Sequence, residues 1–158
     1  MPNDLHELHS QIHSLSKPTV PAARLLRRAW SKRLKHYDGE TMLTFALRLQ
    51  QIGDAEIKRW AKSDDLWWRR AALVSTVPLN NKARGGNGDT PRTLMICEML
   101  IDDREDMVVK AMSWALRELS KRDPQAVQRF VTQHKNTLAA RVLREVGNKL
   151  RTGKKNPK

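Results

Sequence analysis

The sequence predicts an all-α fold, a right-handed α-solenoid of stacked helix pairs, and three observations carry that expectation. Apolar residues recur at helical spacing along nearly the whole chain, and no alternating strand pattern rises above background. Leu66-Trp67-Trp68-Arg69-Arg70-Ala71-Ala72-Leu73 is echoed 41 residues later by Met107-Val108-Val109-Lys110-Ala111-Met112-Ser113-Trp114. Setting Asp65 against Asp106 aligns apolar pairs, then a cation, then small or apolar residues. An interval of about 40–47 residues with two helices per unit is the signature of an α-solenoid, whose units bury their apolar faces only by stacking.

The elements follow in order. Leu5, Leu8, Ile12 and Leu15 mark a first helix, which Pro18 and Pro21 end. A second opens near Pro21 and runs to about His36, and Tyr37-Asp38-Gly39 turns the chain into a strongly apolar helix over Thr41–Gln51. Beyond Gly53-Asp54, the positions Ile57 and Trp60-Ala61 make a short amphipathic helix. Ser63-Asp64-Asp65 places acids where the helix dipole favours them and caps a helix over Trp67–Val77. Pro78 to Asp89 reads as one long loop, with Asn80-Asn81, Gly85-Gly86 and Asn87-Gly88. Asp89 or Thr90 then caps a helix that carries Pro91 at its start. A helix from about Glu105 to Lys121 follows, another from Asp123-Pro124 through His134, and a last from Thr137 to Leu150. Residues 1–150 thus form a single domain, and 151–158 form a basic, disordered tail.

Composition narrows the partner class. The chain has 158 residues, with 30 Lys plus Arg against 17 Asp plus Glu and a formal net charge of +13. Such a field attracts polyanions, nucleic acid or anionic membrane first among them. No run approaches the ~20 apolar residues that span a bilayer, and the N-terminus carries His and acids rather than a signal peptide. The lone Cys97 has no disulfide partner and sits in an apolar run, as a small buried hydrophobe would. These features fit a reduced, cytoplasmic setting, nucleoid-associated when bound to DNA.

The charge is concentrated. Lys17 to His36 holds seven cations and no acid, and Thr137 to Lys158 holds seven against Glu145 alone. Tyr37 to Val77 balances six against six. Arg24, Arg27, Arg28 and Lys35 fall along one side of a helix, a spacing suited to successive phosphates, with Lys32 in the same run. Two cation-rich runs, the first free of acids and the second holding one, with Lys82, Arg84 and Arg92 between them favour nucleic-acid contact over a merely solvated face. The five tryptophans (Trp30, Trp60, Trp67, Trp68 and Trp114) belong for the most part to helix packing.

Ser63-Asp64-Asp65-Leu66-Trp67-Trp68-Arg69-Arg70-Ala71-Ala72-Leu73 and Val108-Val109-Lys110-Ala111-Met112-Ser113-Trp114-Ala115-Leu116-Arg117-Glu118-Leu119-Ser120-Lys121 together resemble the HEAT-like-repeat DNA alkylation repair family, the AlkD-type DNA glycosylases. Trp30 to Lys35, Asp123 to Val127 and Leu143 to Gly153 extend the likeness over most of the chain. The resemblance implies a concave basic surface on duplex DNA, alkylated or distorted, and hydrolysis of the N-glycosidic bond of N3- or N7-alkylated purines. It implies no metal and no cofactor, nucleotide or otherwise. Arg70 matches the family's DNA-contacting arginine, and Trp114 matches one of the tryptophans lining the lesion site. Arg24, Arg27, Arg28, Lys32, Arg141 and Arg144 are then the flanking phosphate contacts.

The likeness breaks at one place. The family's catalytic carboxylate lies in a Trp-x-x-Val-Asp segment upstream of the Arg-Arg motif, and here Leu43 to Gly53 passes straight into Asp54 to Trp60. A segment is missing near residues 48–53, so no catalytic residue is assigned. Glu118, four residues past Trp114, is the nearest candidate carboxylate, with an ion pair to Arg122 as its structural alternative. Whether the chain is an active glycosylase therefore stays open. A non-catalytic reader of altered or branched DNA shape is the alternative, and a protein–protein scaffold a third. His6, His9 and His13 share a helical face without a second set of ligands, which leaves them an exposed polar face rather than a metal site. Gly85-Gly86-Asn87-Gly88 lacks the strand and the Gly-Lys-Ser/Thr ending of a nucleotide loop, leaving a linker or a flexible loop that reaches DNA.

Overall fold

The structure, a computed structural model, describes residues 53–157, apart from the side chain of Arg84. The helices expected before Gly53, the three histidines, the basic run of Arg24, Arg27, Arg28 and Lys32, and the junction at 48–52 lie outside the described residues. Among the described residues there are six α-helices, one 3-10 turn and no strand. They are α1 (Asp54–Ala61), α2 (Leu66–Asn80), α3 (Thr90–Met99), α4 (Asp106–Leu119), α5 (Pro124–Gln133) and α6 (Ala140–Thr152), with the 3-10 turn at Lys82–Arg84.

Local chemistry sets the helix starts. Asp65, Asp89 and Asp123 each accept a backbone N–H of the first turn, from Trp67 (2.7 Å), Arg92 (3.0 Å) and Ala126 (2.9 Å). Prolines follow at the openings of α3 and α5, where no intrahelical N–H is needed. The entry to α2 recurs at α4: Ser63 Oγ accepts from Asp65 N, and Asp103 Oδ1 accepts from Glu105 N. This shared turn places Asp65 opposite Glu105, one residue off the alignment with Asp106. The burial pattern agrees, because Trp114 then falls opposite half-buried Val74 rather than fully buried Leu73.

Packing arranges the helices in two sets. In the first, α2 lies along α4 and α4 along α6. In the second, α1 and α3 touch each other and flank α2, α3 also packs on α4, and α5 leans lightly on α4 and α6. Leu73, Ile96, Val108, Leu116, Leu119, Val127, Val142 and Val146 are the large apolar side chains between them, almost wholly removed from water. Burying each stabilises the fold by roughly 1.5–3 kcal/mol before conformational entropy is charged.

Three boundaries differ most from the sequence reading, and one of them is the start of α6, at Ala140 rather than Thr137. α2 continues through Pro78 to Asn80. Pro78 removes one donor near the helix end, while the hydroxyls of Ser75 and Thr76 donate back to the Ala72 and Leu73 carbonyls (2.7 Å each). The long loop is correspondingly short, and it is pinned. Asn80, 1 % exposed, donates to Thr76 O and Thr93 Oγ1 and accepts from Asp89 N. Arg122 donates to the carbonyls of Asn80 and Gly86, and Gly88 N reaches Leu79 O at 2.8 Å. Gly86 is buried so closely that a Cβ would come within 3.0 Å of the Pro78 and Leu79 carbonyls, so only glycine fits. Of the C-terminal segment, Arg151 and Thr152 belong to α6 rather than to a tail.

Candidate nucleic-acid interface

α4 is apolar around most of its girth and buries nine of its residues, so its exposed stripe is narrow. Lys110, Trp114, Arg117 and Lys121 follow one another along that stripe at helical spacing. Trp114 is the one large apolar side chain exposed among the described residues, at 40 %. Trp60, Trp67 and Trp68 are half-buried. Trp60 and Trp68 stack with ring centroids 5.4 Å apart, and Trp60 Nε1 donates to Glu56 at 2.7 Å.

The acids around the stripe are all engaged. Lys110 meets Asp106 one turn before it at 2.5 Å, and Arg141 of α6 meets the same carboxylate at 2.9 Å. These cations hold the exposed Asp106 carboxyl below its ordinary range, the hydrogen bond from Lys110 being the leading cause. Glu118 is buried and takes both oxygens to Lys121 Nζ, at 2.8 and 2.9 Å. Its expected partner Arg122 is drawn instead into the loop lock, because Asn80 and Gly86 offer it carbonyls from the preceding repeat.

Glu145 forms the seam between α4 and α6. Its Oε2 accepts from Ser113 Oγ at 2.6 Å and lies 3.9 Å from Arg117 Nε; its Oε1 lies 3.2 Å from Lys155 Nζ. Burial pushes this carboxyl upward, but Ser113, Lys155 and Arg117 outweigh burial and hold it below its ordinary range. Arg117 Nε also donates to Ser113 Oγ at 3.2 Å. Glu145 is the only acid between residues 137 and 158, and here its charge is compensated. The α6 face therefore presents cations. Arg144 is exposed, Arg151 is exposed and touches Asn148 at 3.0 Å, and Lys155 is brought in by a bond from Asn148 Nδ2 to its carbonyl.

Arg70 and Arg69 have divided roles. Arg70 is half-buried on α2 and donates from Nη1 to Met107 O at 2.5 Å, at the opening of α4. Arg69 ties the repeats together. It meets Asp103 at 2.6 Å and donates to the Ser63 and Asp64 carbonyls. Sequence reasoning missed Arg117, whose place between Trp114 and the α6 seam shows only once Ser113 and Glu145 are seen to hold it. Cys97 is fully buried, and burial alone drives its thiol well above the ordinary range, as befits a packing residue. No three His, Cys, Asp or Glu side chains among the described residues group as metal ligands. No described helix is long and apolar enough to cross a membrane.

A family model described as DNA alkylation repair enzyme matches residues 24–150. No curated protein and no solved structure matches the chain.

Proposed function

The chain belongs to the DNA alkylation repair enzyme family, and on that premise we propose that it binds duplex DNA through a HEAT-like helical solenoid and serves the repair of alkylated purines. The observation that carries this reading is the exposed Trp114, set in a row of cations on α4 and beside the cationic face of α6. Trp114 packs on the lesion nucleotide, where the electron-rich ring face attracts a cationic alkylated base. Arg70 grips backbone nearby. Arg141 and Arg144, with Arg24, Arg27, Arg28 and Lys32, hold flanking phosphates as charge-assisted, salt-sensitive contacts.

Excision of an N3- or N7-alkylated purine needs little acid catalysis, since the base already carries positive charge. Water adds at C1′, the C1′–N bond breaks with its electron pair going to the purine, and the water's extra proton goes to solvent. A protein assists by holding negative charge near the developing sugar cation. Glu118 is the nearest carboxylate on the Trp114 side of α4, and its grip on Lys121 competes with that task. A second reading follows from the same observation. With Asp106, Glu118 and Glu145 each tied to cations, the described surface suits recognition of alkylated or distorted DNA without cleavage.

Release of 7-methylguanine and 3-methyladenine from methylated duplex by excess protein separates the two. Release above the spontaneous rate that Glu118→Gln abolishes supports excision. Salt-sensitive binding without release supports the reader. Absence of both refutes the proposal.

A further inference from the structure

Away from the α2–α4–α6 set, the helices leave a cleft. α3 and α5 barely touch each other while α4 and α6 pack closely, and between the former lies a space of about 280 Å³. Its floor is apolar, formed by Leu94, Ala126 and Phe130. One wall is aromatic: His134 lies against Phe130 with ring centroids 4.6 Å apart and the rings inclined at 47°. The rim is polar and unspent. Glu98 is largely exposed and has only His134 Nε2 nearby, at 3.8 Å. Arg129 and Gln133 are exposed, and their side chains make no hydrogen bond or ion pair among the described residues.

We infer that this cleft is a binding site for an unpaired guanine base, taken either as a free nucleoside or from a single strand. The space takes a flat bicyclic ring, and the half-buried His134 ring, backed by the buried Phe130, offers the stacking surface on which unpaired bases are recognised. The rim selects among bases. Guanine sets two adjacent donors, N1–H and N2–H, within reach of a carboxylate such as Glu98. It sets two acceptors, O6 and N7, for a guanidinium fork such as Arg129. Adenine turns its N6–H donors toward the guanidinium and has no N1–H to give the carboxylate, so the same rim rejects it. Gln133, with one donor and one acceptor, fits the remaining ring edge. The site uses none of the residues assigned to the duplex-binding face, so it stands or falls separately from that reading.

The test titrates the full chain with guanosine and adenosine, following the His134 ring signals by NMR. It then repeats the titration with thymidine oligonucleotides carrying a single dG or dA. Guanosine should saturate with a Kd on the order of 0.1–1 mM, ordinary for a ligand of this size. Adenosine should bind about tenfold more weakly or worse. Glu98→Gln, exposed and therefore harmless to the fold, should weaken guanosine about tenfold and leave adenosine unchanged. Saturation by guanosine itself identifies a nucleoside site, and saturation by the dG strand alone identifies a site for unpaired bases in DNA; either supports the inference. Equal response to guanine and adenine ligands, or a Glu98→Gln variant that binds guanosine normally, overturns it.

Discussion

Glu145→Gln isolates the charge that ties α4 to α6. The side chain is 8 % exposed, so its surroundings, not water, determine what the substitution costs. The amide keeps a bond to Ser113 Oγ but converts it from charge-assisted to neutral, a loss of about 1 kcal/mol. Arg117 loses its counter-charge in a half-buried position, which costs about 1 kcal/mol more. The contact to Lys155 is half-exposed and screened, and its loss adds at most about 0.5 kcal/mol. The sum is about 2 kcal/mol at pH 7. Its pH dependence has a definite sign. The folded-state pKa of Glu145 is depressed, so its contribution is complete above the unfolded value of about 4.3 and fades as pH falls through the folded value. Urea unfolding followed by circular dichroism should show the full gap between wild type and variant at pH 7 and a narrowing gap below about pH 4. Duplex affinity should be kept or raised, because the change removes a negative charge from the cationic face. A gap that does not change with pH, or one under about 0.5 kcal/mol at pH 7, would refute the assignment of Glu145 as an ionised seam.

Four further outcomes are expected. Gly86→Ala should cost about 2–4 kcal/mol in urea unfolding, because its Cβ meets the Pro78 and Leu79 carbonyls and shifting the loop breaks three hydrogen bonds. Gly53→Ala, with open space at its Cβ, is the control and should stay within about 0.5 kcal/mol. The Cys97 thiol should resist iodoacetamide at pH 7.5 in the folded chain and react only at the rate of unfolding; rapid labelling would contradict its burial. Trp114→Ala should lower duplex affinity several-fold while leaving the melting curve close to wild type, since the ring is already 40 % exposed; a large drop in melting temperature would mark it as core.

What the sequence disclosed was local. Asp65, Asp89 and Asp123 mark their helices because an N-cap needs only a short polar side chain beside the first turn, and Pro91 and Pro124 reinforce it. The burial of Cys97 was equally near to hand, because it sits within an apolar run. What escaped were contacts between repeats. Arg69 chose Asp103, and Arg122 chose the Asn80 and Gly86 carbonyls over Glu118, because stacking brings those groups close across more than thirty residues. Periodicity reports which face of a helix is apolar and carries no information on which polar group the next repeat delivers. The same reason hid the Ser113–Glu145–Arg117 seam, whose members look like unrelated surface residues in the sequence. The carboxylate that would serve catalysis was illegible for a different reason: the motif expected to carry it is absent from the chain, and each acid beside the stripe is committed to a cation.

The most direct test of the account is the salt dependence of duplex affinity for the whole chain. If the cationic faces of α4 and α6 hold phosphates, log K falls linearly with log salt at about −0.9 per contact, and three or more contacts give a slope of about −2.7 or steeper. Arg144→Ala should then reduce the slope by roughly one contact. A flat dependence, or binding that ignores Arg144, would contradict a nucleic-acid surface and leave the charged stripe as a solvated face.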